Sequence, residues 1–348
     1  MTAKKPGIIM ERKLATIQKI VSIEPIEGAD KIERVTVLGW HLVVKKGEFK
    51  IGDLCVYCEV DSLMPVKPEY EFLRKFCYNK RLDGFRIKIV KMRGQVSEGV
   101  ALPLSIIKDI NDFNEGDDVT ELLDIRKYEA PIPSELSGRT KGGFPNFISK
   151  TDEIRIQSIP EILEQCKGEI FVVTEKVDGT SSTYYVNNRE FGFCGRNWEF
   201  ESSVQNTYSQ VAKDMQIEDK LKSLNKNIAI QGEIIGPGIQ GNLYKLTKHE
   251  LMVFDIFYID KYRYYNHNEL TKICKQLDLK TVPIISENFK MEHTVDELVE
   301  FSNGASILNT NIKREGIVFR STLQINDSSL KRLSFKVINP EFLLKYEK

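Results

Sequence analysis

Long apolar runs are missing from this 348-residue chain: nothing in it approaches the roughly 18–20 consecutive apolar positions that a membrane-spanning helix needs. No membrane partner is therefore expected. The start, Met1-Thr2-Ala3-Lys4-Lys5-Pro6, is basic but leads into no apolar segment, so no secretory signal is visible and a cytoplasmic or nuclear compartment is expected. Histidine is scarce. His41, His249, His267 and His293 show no metal-ligand spacing and read as structural or exposed. Trp40 and Trp198 read as packing residues rather than base stackers. The six cysteines are scattered, and Cys55 and Cys58 make the one CxxC. That pair sits in Leu54-Cys55-Val56-Tyr57-Cys58-Glu59-Val60, which reads as a strand, where positions three apart face opposite sides. No second CxxC or CxxH completes a zinc set, so buried, reduced thiols are expected. Internal repeats are absent as well.

What is present is a soluble, globular composition, 41% hydrophobic and 29% charged, at a length that suggests two domains. The net charge is zero, yet residues 1–110 carry 20 Lys and Arg against 14 Asp and Glu, leaving 30 against 36 for the rest. Between Arg74 and Arg93 stand eight basic residues (Arg74, Lys75, Lys80, Arg81, Arg86, Lys88, Lys91, Arg93) and one acid, Asp83. Such an excess is the footprint of a polyanion partner or a solvated surface.

The first hundred residues read as short strands. Lys13 to Ile20, Ile32 to Leu38 and Arg86 to Val90 alternate, punctuated by turns at Glu27-Gly28-Ala29-Asp30, Lys46-Gly47, Ile51-Gly52-Asp53 and Arg93-Gly94. A small barrel is expected, and the OB-fold is the common one that binds nucleic acid. Tyr128 to Gly143, rich in proline and glycine, reads as a connector. Beyond it strands (Ile170 to Thr174, Asn227 to Ile230, Leu251 to Tyr258, Gly316 to Arg320, Leu333 to Val337) mix with helices. The helices are Val211 to Leu224, Asn268 to Leu277, and Thr294 to Phe301 with a Thr294/Glu297 capping box. The fold class expected is an amino-terminal all-β OB barrel (1–125), a linker (126–143) and an α+β domain (144–348).

The sharpest chemical signal is Thr174-Glu175-Lys176-Val177-Asp178-Gly179-Thr180, a lysine directly after an apolar strand and before a glycine turn. A lysine amine is nucleophilic only when deprotonated, which needs desolvation or cationic neighbours; a strand end facing a cleft is expected to offer both. Alone, a KxDG is compatible with a surface turn. Its weight comes from four segments downstream of it, in order: Glu233 in Gln231-Gly232-Glu233-Ile234-Ile235-Gly236, Phe254 in Leu251-Met252-Val253-Phe254-Asp255, Glu315 in Glu315-Gly316-Ile317-Val318-Phe319-Arg320, and Lys336 in Leu333-Ser334-Phe335-Lys336-Val337. Carboxylates can hold a metal and its water shell, lysines can neutralise a reacting phosphate, and an aromatic can stack on a base.

In these five segments the sequence resembles the covalent nucleotidyltransferase superfamily of DNA ligases, RNA ligases and mRNA capping enzymes, matching motifs I, III, IIIa, IV and V from Lys176 to Lys336. The resemblance implies ATP as the nucleotide and Mg or Mn as the ion. It makes Lys176 the AMP-bearing residue. Asp178 would orient the ribose or a metal-bound water, and Glu233 and Glu315 would serve the metal, through water, and the ribose. Lys336 would contact the α-phosphate, Phe254 would stack on adenine, and Thr174 and Glu175 would lie near its amino group. Arg196, in Gly195-Arg196-Asn197, looks like the arginine of motif Ia.

Only twelve residues follow Lys336, so the carboxy-terminal OB domain of DNA ligases and capping enzymes is not expected. Ile26-Glu27-Gly28-Ala29-Asp30-Lys31-Ile32 and Lys91-Met92-Arg93-Gly94-Gln95-Val96-Ser97-Glu98-Gly99-Val100 instead resemble OB modules that bind tRNA. The arrangement looks like the Deinococcus-type, or fifth, RNA ligase family, whose lead-in the stretch Phe144 to Gln157 also resembles, with Arg155 as a phosphate-pocket residue. RNA ligases often carry Lys-x-Lys in motif V; here Ser334 holds the first position, and compensation by Lys331 or Arg332 is open. A monomer sealing 3′-hydroxyl RNA to a 5′-phosphate at nicks in duplex is implied, with Arg86, Lys88, Lys91 and Arg93 as nucleic-acid contacts. The alternatives are a GTP-using capping guanylyltransferase and a non-catalytic RNA- or tRNA-binding OB protein.

Overall fold

In a computed structural model, residues 13–107, 112–128, 140–322 and 333–346 are described. Most of the expected linker, and Lys331 and Arg332, lie outside them. The chain forms two units, one mainly Met10–Pro131 with Arg155–Ile162 and Pro340–Lys348, the other mainly Ile132–Ile154 and Leu163–Asn339.

The first unit is built on an antiparallel sheet in the order Val100–Pro103, Leu54–Cys58, Ala15–Pro25, Ile32–Val37, Trp40–Lys45. Its long strand Ala15–Pro25 shifts register between Ile20 and Ser22, a bulge that bends one strand across both halves of the curl. Alternation sends Cys55 into the cluster around Trp40 and Leu42, and Cys58 into the one around Ile17, Met64 and Phe85. The two thiols thus diverge as expected, and burial pushes both up to about 12, which keeps them inert. The alternating stretch Arg86 to Val90 is two strands rather than one, Gly84–Arg86 and Val90–Met92. The second of these pairs with Gln95–Ser97 across Arg93 and Gly94, both at positive φ, which is the two-residue turn that matches strand twist.

The second unit has two sheets. One runs Thr140–Gly143, Trp198–Phe200, Glu190–Cys194, Thr180–Asn187, Ile228–Ile235, Glu250–Tyr258, Arg263–Tyr264. Thr140–Gly143, which reads in sequence as connector, is thus an edge strand. Helices Thr207–Asp214, Ile217–Ser223 and His267–Gln276 bury Val211, Leu221, Leu270 and Cys274 on one face of this sheet, against Tyr184, Ile230 and Val253. The expected single helix Val211 to Leu224 is broken because Gln216 takes a left-handed conformation (φ 52°). The capping box on the helix Val295–Ser302 is present, with Thr294 and Glu297 each accepting from the other's backbone N–H. The other sheet runs Ser334–Ile338, Gly316–Ser321, Ile170–Lys176, Ile284–Lys290. Trp40 is buried as expected, whereas Trp198, next to the edge strand, is exposed. No helix of the described residues is long and apolar enough to cross a membrane.

Candidate active site

Lys176 is the last residue of the strand Ile170–Lys176 and pairs with Gly316 of the neighbouring antiparallel strand. That register sets Glu315 beside it, and the Lys176 Nζ lies 2.6 Å from Glu315 Oε1. Strand alternation puts Thr174 on the Lys176 side and Glu175 on the other. Glu175 is buried there, its carboxylate accepting from the Ile307 N–H at 2.7 Å. The two residues expected together near a base therefore face opposite ways.

The glycine of the turn brings the third charge in. A Cβ on Gly179 would stand 2.4 Å from the Ile234 carbonyl oxygen and 2.8 Å from Glu233 Cγ, so only glycine lets the turn press on the strand that carries Glu233. Val177 enters an apolar cluster with Ile235, Tyr244 and Met252, against which Phe254 packs. The Asp178 N–H donates to Tyr244 Oη at 2.8 Å, and Thr180 shares a 3.0 Å hydrogen bond with Tyr208. These two tyrosines pin the turn from either side. Nothing in their local sequence marks them.

Lys336 stands opposite Val318, and its Nζ is 3.8 Å from Asp152 Oδ1; Arg196 reaches the same carboxylate at 3.2 Å. Asp152 thus gathers two of the expected phosphate contacts, although nothing in the lead-in stretch around it marks it for that role. Ser334 donates to Glu153 Oε2 at 2.5 Å, and its cross-strand partner is Arg320. Arg320 is 3.5 Å from the buried Asp255 and donates to Thr174 Oγ1 at 3.1 Å. The serine in place of a first motif V lysine is therefore set in a network that already contains a buried cation.

Arg155 belongs to the barrel unit, where its guanidinium is 4.0 Å from Asp61 and lies over the Trp40 ring at 5.7 Å. Arg86 is engaged in the same unit. It donates to Asp61 at 2.9 Å, stacks on Tyr128 at 3.9 Å and has a side chain only 12% exposed. Lys91 and Arg93 are exposed on the hairpin and Lys88 is half-buried before it, so these three are the ones open to a partner.

Burial alone would depress the Lys176 ammonium. The negative charges of Glu315, Glu233 and Asp178 outweigh it and hold the pKa above the ordinary value. The expectation of cationic neighbours is thus reversed. Burial pushes Glu233 up to about 8, with Glu315 and Asp178 adding to the rise and Lys176 and Arg196 opposing it. Among the described residues no three His, Cys, Asp or Glu side chains form a ready metal cage. A cation still fits, because Glu315 Oε2 is buried with no hydrogen-bond partner and Glu233 carries a charge that burial disfavours. Such a cation would take few protein ligands and complete its shell with phosphates and water.

The Glu233 carboxyl carries a stability prediction. An ordinary glutamate titrates at about 4.3, so the folded protein, at about 8, holds this proton more tightly than the unfolded chain. Its contribution to stability is present below the unfolded value and is lost as pH rises through the folded one. Glu233→Gln should therefore flatten the fall in Tm between about pH 5 and 9, melting above the native protein at the alkaline end. Parallel melting curves for the two proteins would refute the assignment.

Comparison with known proteins bears on this site. A family model described as an OB-fold domain matches residues 14–104, and one described as RNA ligase matches residues 169–338, which spans Lys176, Glu233, Glu315 and Lys336. A lysine-to-alanine variant of Naegleria gruberi RNA ligase, solved with ATP and Mn, is 41% identical over 96% of this chain and 99% of its own, with a TM-score of 0.89. This chain belongs to the RNA ligase family. The same Naegleria ligase solved with PPi, and its glutamate-to-alanine variant with AMP and Mn, each match at 41% identity and a TM-score of 0.88, over 97% of this chain and 99% of theirs. Comparison with curated proteins gives no match. The ligase thus pairs an amino-terminal OB domain with an α+β catalytic domain, as its strand pattern and motif order imply.

Proposed function

We propose that this RNA ligase uses ATP to join a 3′-hydroxyl RNA end to a 5′-phosphate at nicks in duplex nucleic acid, acting as a monomer of the Deinococcus-type branch. The observation that carries the reading is the convergence of Lys176, Glu233 and Glu315, two of them on separate strands and the third at the start of another. Relatives solved with ATP, AMP or PPi support it.

Among these carboxylates Lys176 is held as an ammonium and must lose a proton before attack. Glu315 Oε1, at 2.6 Å, is the atom placed to take it. Nζ then bonds to the α-phosphorus of ATP while the bond to pyrophosphate breaks. A divalent ion, Mg or Mn, supplies countercharge to the triphosphate and to the carboxylates when bound. Lys336 and Arg196 neutralise the α-phosphate and its neighbours, a role for which they must leave Asp152. Phe254 offers a face to adenine beside the Thr174 hydroxyl, and Asp178 the ribose contact. AMP then passes from Lys176 to the 5′-phosphate, and the 3′-hydroxyl displaces it.

Incubation with α-labelled ATP or GTP tests the first step, with covalent label from ATP expected. Label from GTP alone would make the protein a capping enzyme, and label from neither a binding protein. Sealing of nicked duplexes with RNA or DNA at each end then reads the substrate, and no sealing of any nick would remove that part.

The barrel unit should hold the duplex through Lys88, Lys91 and Arg93. Changing all three to alanine should leave AMP uptake intact and raise the duplex concentration needed for sealing. The slope of log affinity against log salt should fall by about 2–3. An unchanged salt slope would place the substrate elsewhere.

A further inference from the structure

In the barrel unit a 3-10 helix, Pro68–Leu73, runs on into the four-residue α-helix Arg74–Cys77, and the run carries apolar side chains on its outer side as well as its inner one. Tyr70 and Leu73 are buried and Cys77 is half-buried, a stripe at helical spacing that anchors the run to the barrel core. Phe72 and Phe76, four residues apart along this run, are 56% and 65% exposed. The anchoring stripe explains the helix without them. Two exposed phenylalanines forgo the transfer free energy that burial of their rings would supply.

The charges around them are also one-sided. Lys75, Lys80 and Arg81 are exposed, and among the described residues none of the three forms an ion pair. Arg74 is committed, donating to Glu71 at 2.6 and 2.8 Å with its guanidinium 4.3 Å from the Tyr78 ring. Glu71 is occupied by that contact, and Asp83 accepts the Tyr78 hydroxyl at 2.8 Å. Glu69, in the first turn, is the remaining acid against the three cations. Aromatic faces interleaved with cations suit a partner that is both flat and polyanionic. Duplex nucleic acid hides its bases; a single strand offers them for stacking while its phosphates meet the lysines.

We infer that Phe72 and Phe76, flanked by Lys75, Lys80 and Arg81, form a stacking platform for unpaired nucleotides. It binds a single-stranded stretch of the nucleic acid that the ligase seals, an inference that rests on the sealing function proposed above. Stacking reads the base face and not the sugar, so RNA and DNA strands should bind alike. The acids and bases of the catalytic unit take no part in it.

Fluorescence anisotropy on the full chain, without ATP, tests the platform with a labelled unstructured strand of about ten nucleotides. Phe72→Ala with Phe76→Ala should weaken binding about 10–100-fold, while Phe72→Tyr with Phe76→Tyr, which keeps the rings, should bind as the native protein does. Alanine at Lys75, Lys80 and Arg81 should lower the salt slope by about 2. A strand carrying 5-iodouridine should crosslink, on irradiation, to the peptide bearing Phe72 and Phe76. Native affinity in the double alanine variant, or crosslinks found only elsewhere in the chain, would overturn the inference. So would a change of molecular mass with phenylalanine content while strand binding stayed constant, since that points to a second copy on this face. Labelling of Lys176 by ATP is measured in parallel. Absent label in every protein with phenylalanine-dependent binding intact counts against the sealing chemistry, whereas normal label with unchanged binding counts against the platform.

Discussion

Lys176→Met should abolish covalent AMP uptake, with a loss of at least about 10⁴-fold on the scale seen when a nucleophile is removed from a working site. The side chain sits at a strand end, so methionine can replace the aliphatic stem without disturbing the Lys176–Gly316 register. What disappears is the nitrogen, 2.6 Å from Glu315 and among three carboxylates. Mass spectrometry of the ATP-treated native protein should find one AMP on the peptide containing Lys176. Discovery of AMP on another lysine, or label retained by the methionine variant, would end the assignment. The charge ring adds a pH signature. Because Lys176 titrates above its ordinary value, uptake by the native enzyme should rise with pH. Glu233→Gln removes one source of that rise and should move the profile toward lower pH, whatever it does to the maximal rate.

Glu315→Ala and Glu233→Ala should each reduce AMP uptake by about 10²–10³-fold, the usual cost of removing one preorganised electrostatic group. Their effects on folding should diverge from this. A buried carboxylate that burial already disfavours gives up little stability when removed, and Glu233 is pushed up to about 8. Glu315 differs, since its loss leaves the Lys176 ammonium half-buried without its closest partner. Tm should therefore fall for Glu315→Ala and hold or rise for Glu233→Ala at alkaline pH, while both lose activity. Near-native uptake by either variant would remove that residue from the site.

Much of this protein was legible in its residues alone. Alternation predicts that Cys55 and Cys58 diverge, and they enter separate clusters. The order of Lys176, Glu233, Phe254, Glu315 and Lys336 implies a nucleotidyltransferase, because the family is defined by short segments that survive as sequence. Capping residues carry their own local geometry, which is why Thr294 and Glu297 mark their helix. Local signals of this kind depend on neighbours within a turn or a strand.

Other features depend on contacts between distant segments. Lys176 and Glu315 are 139 residues apart, and only the pairing of two strands makes them an ion pair. Tyr208 and Tyr244 lie in no motif, and Asp152 and Arg320 lie in recognisable segments that give them no role; all four acquire one by their contacts. Glu175 follows Thr174 in sequence, yet alternation and the packing around Ile307 turn it to the opposite face. Arg86 sits in a basic run that a linear count treats as surface, and the barrel engages it with Asp61 and Tyr128. The direction of the Lys176 shift was the furthest from reach. The sequence by itself determined which charges the chain carries and in what order. Only the tertiary structure decided the balance between desolvation and the fields of Glu315, Glu233 and Asp178, because each falls off with distances that no spacing along the chain encodes.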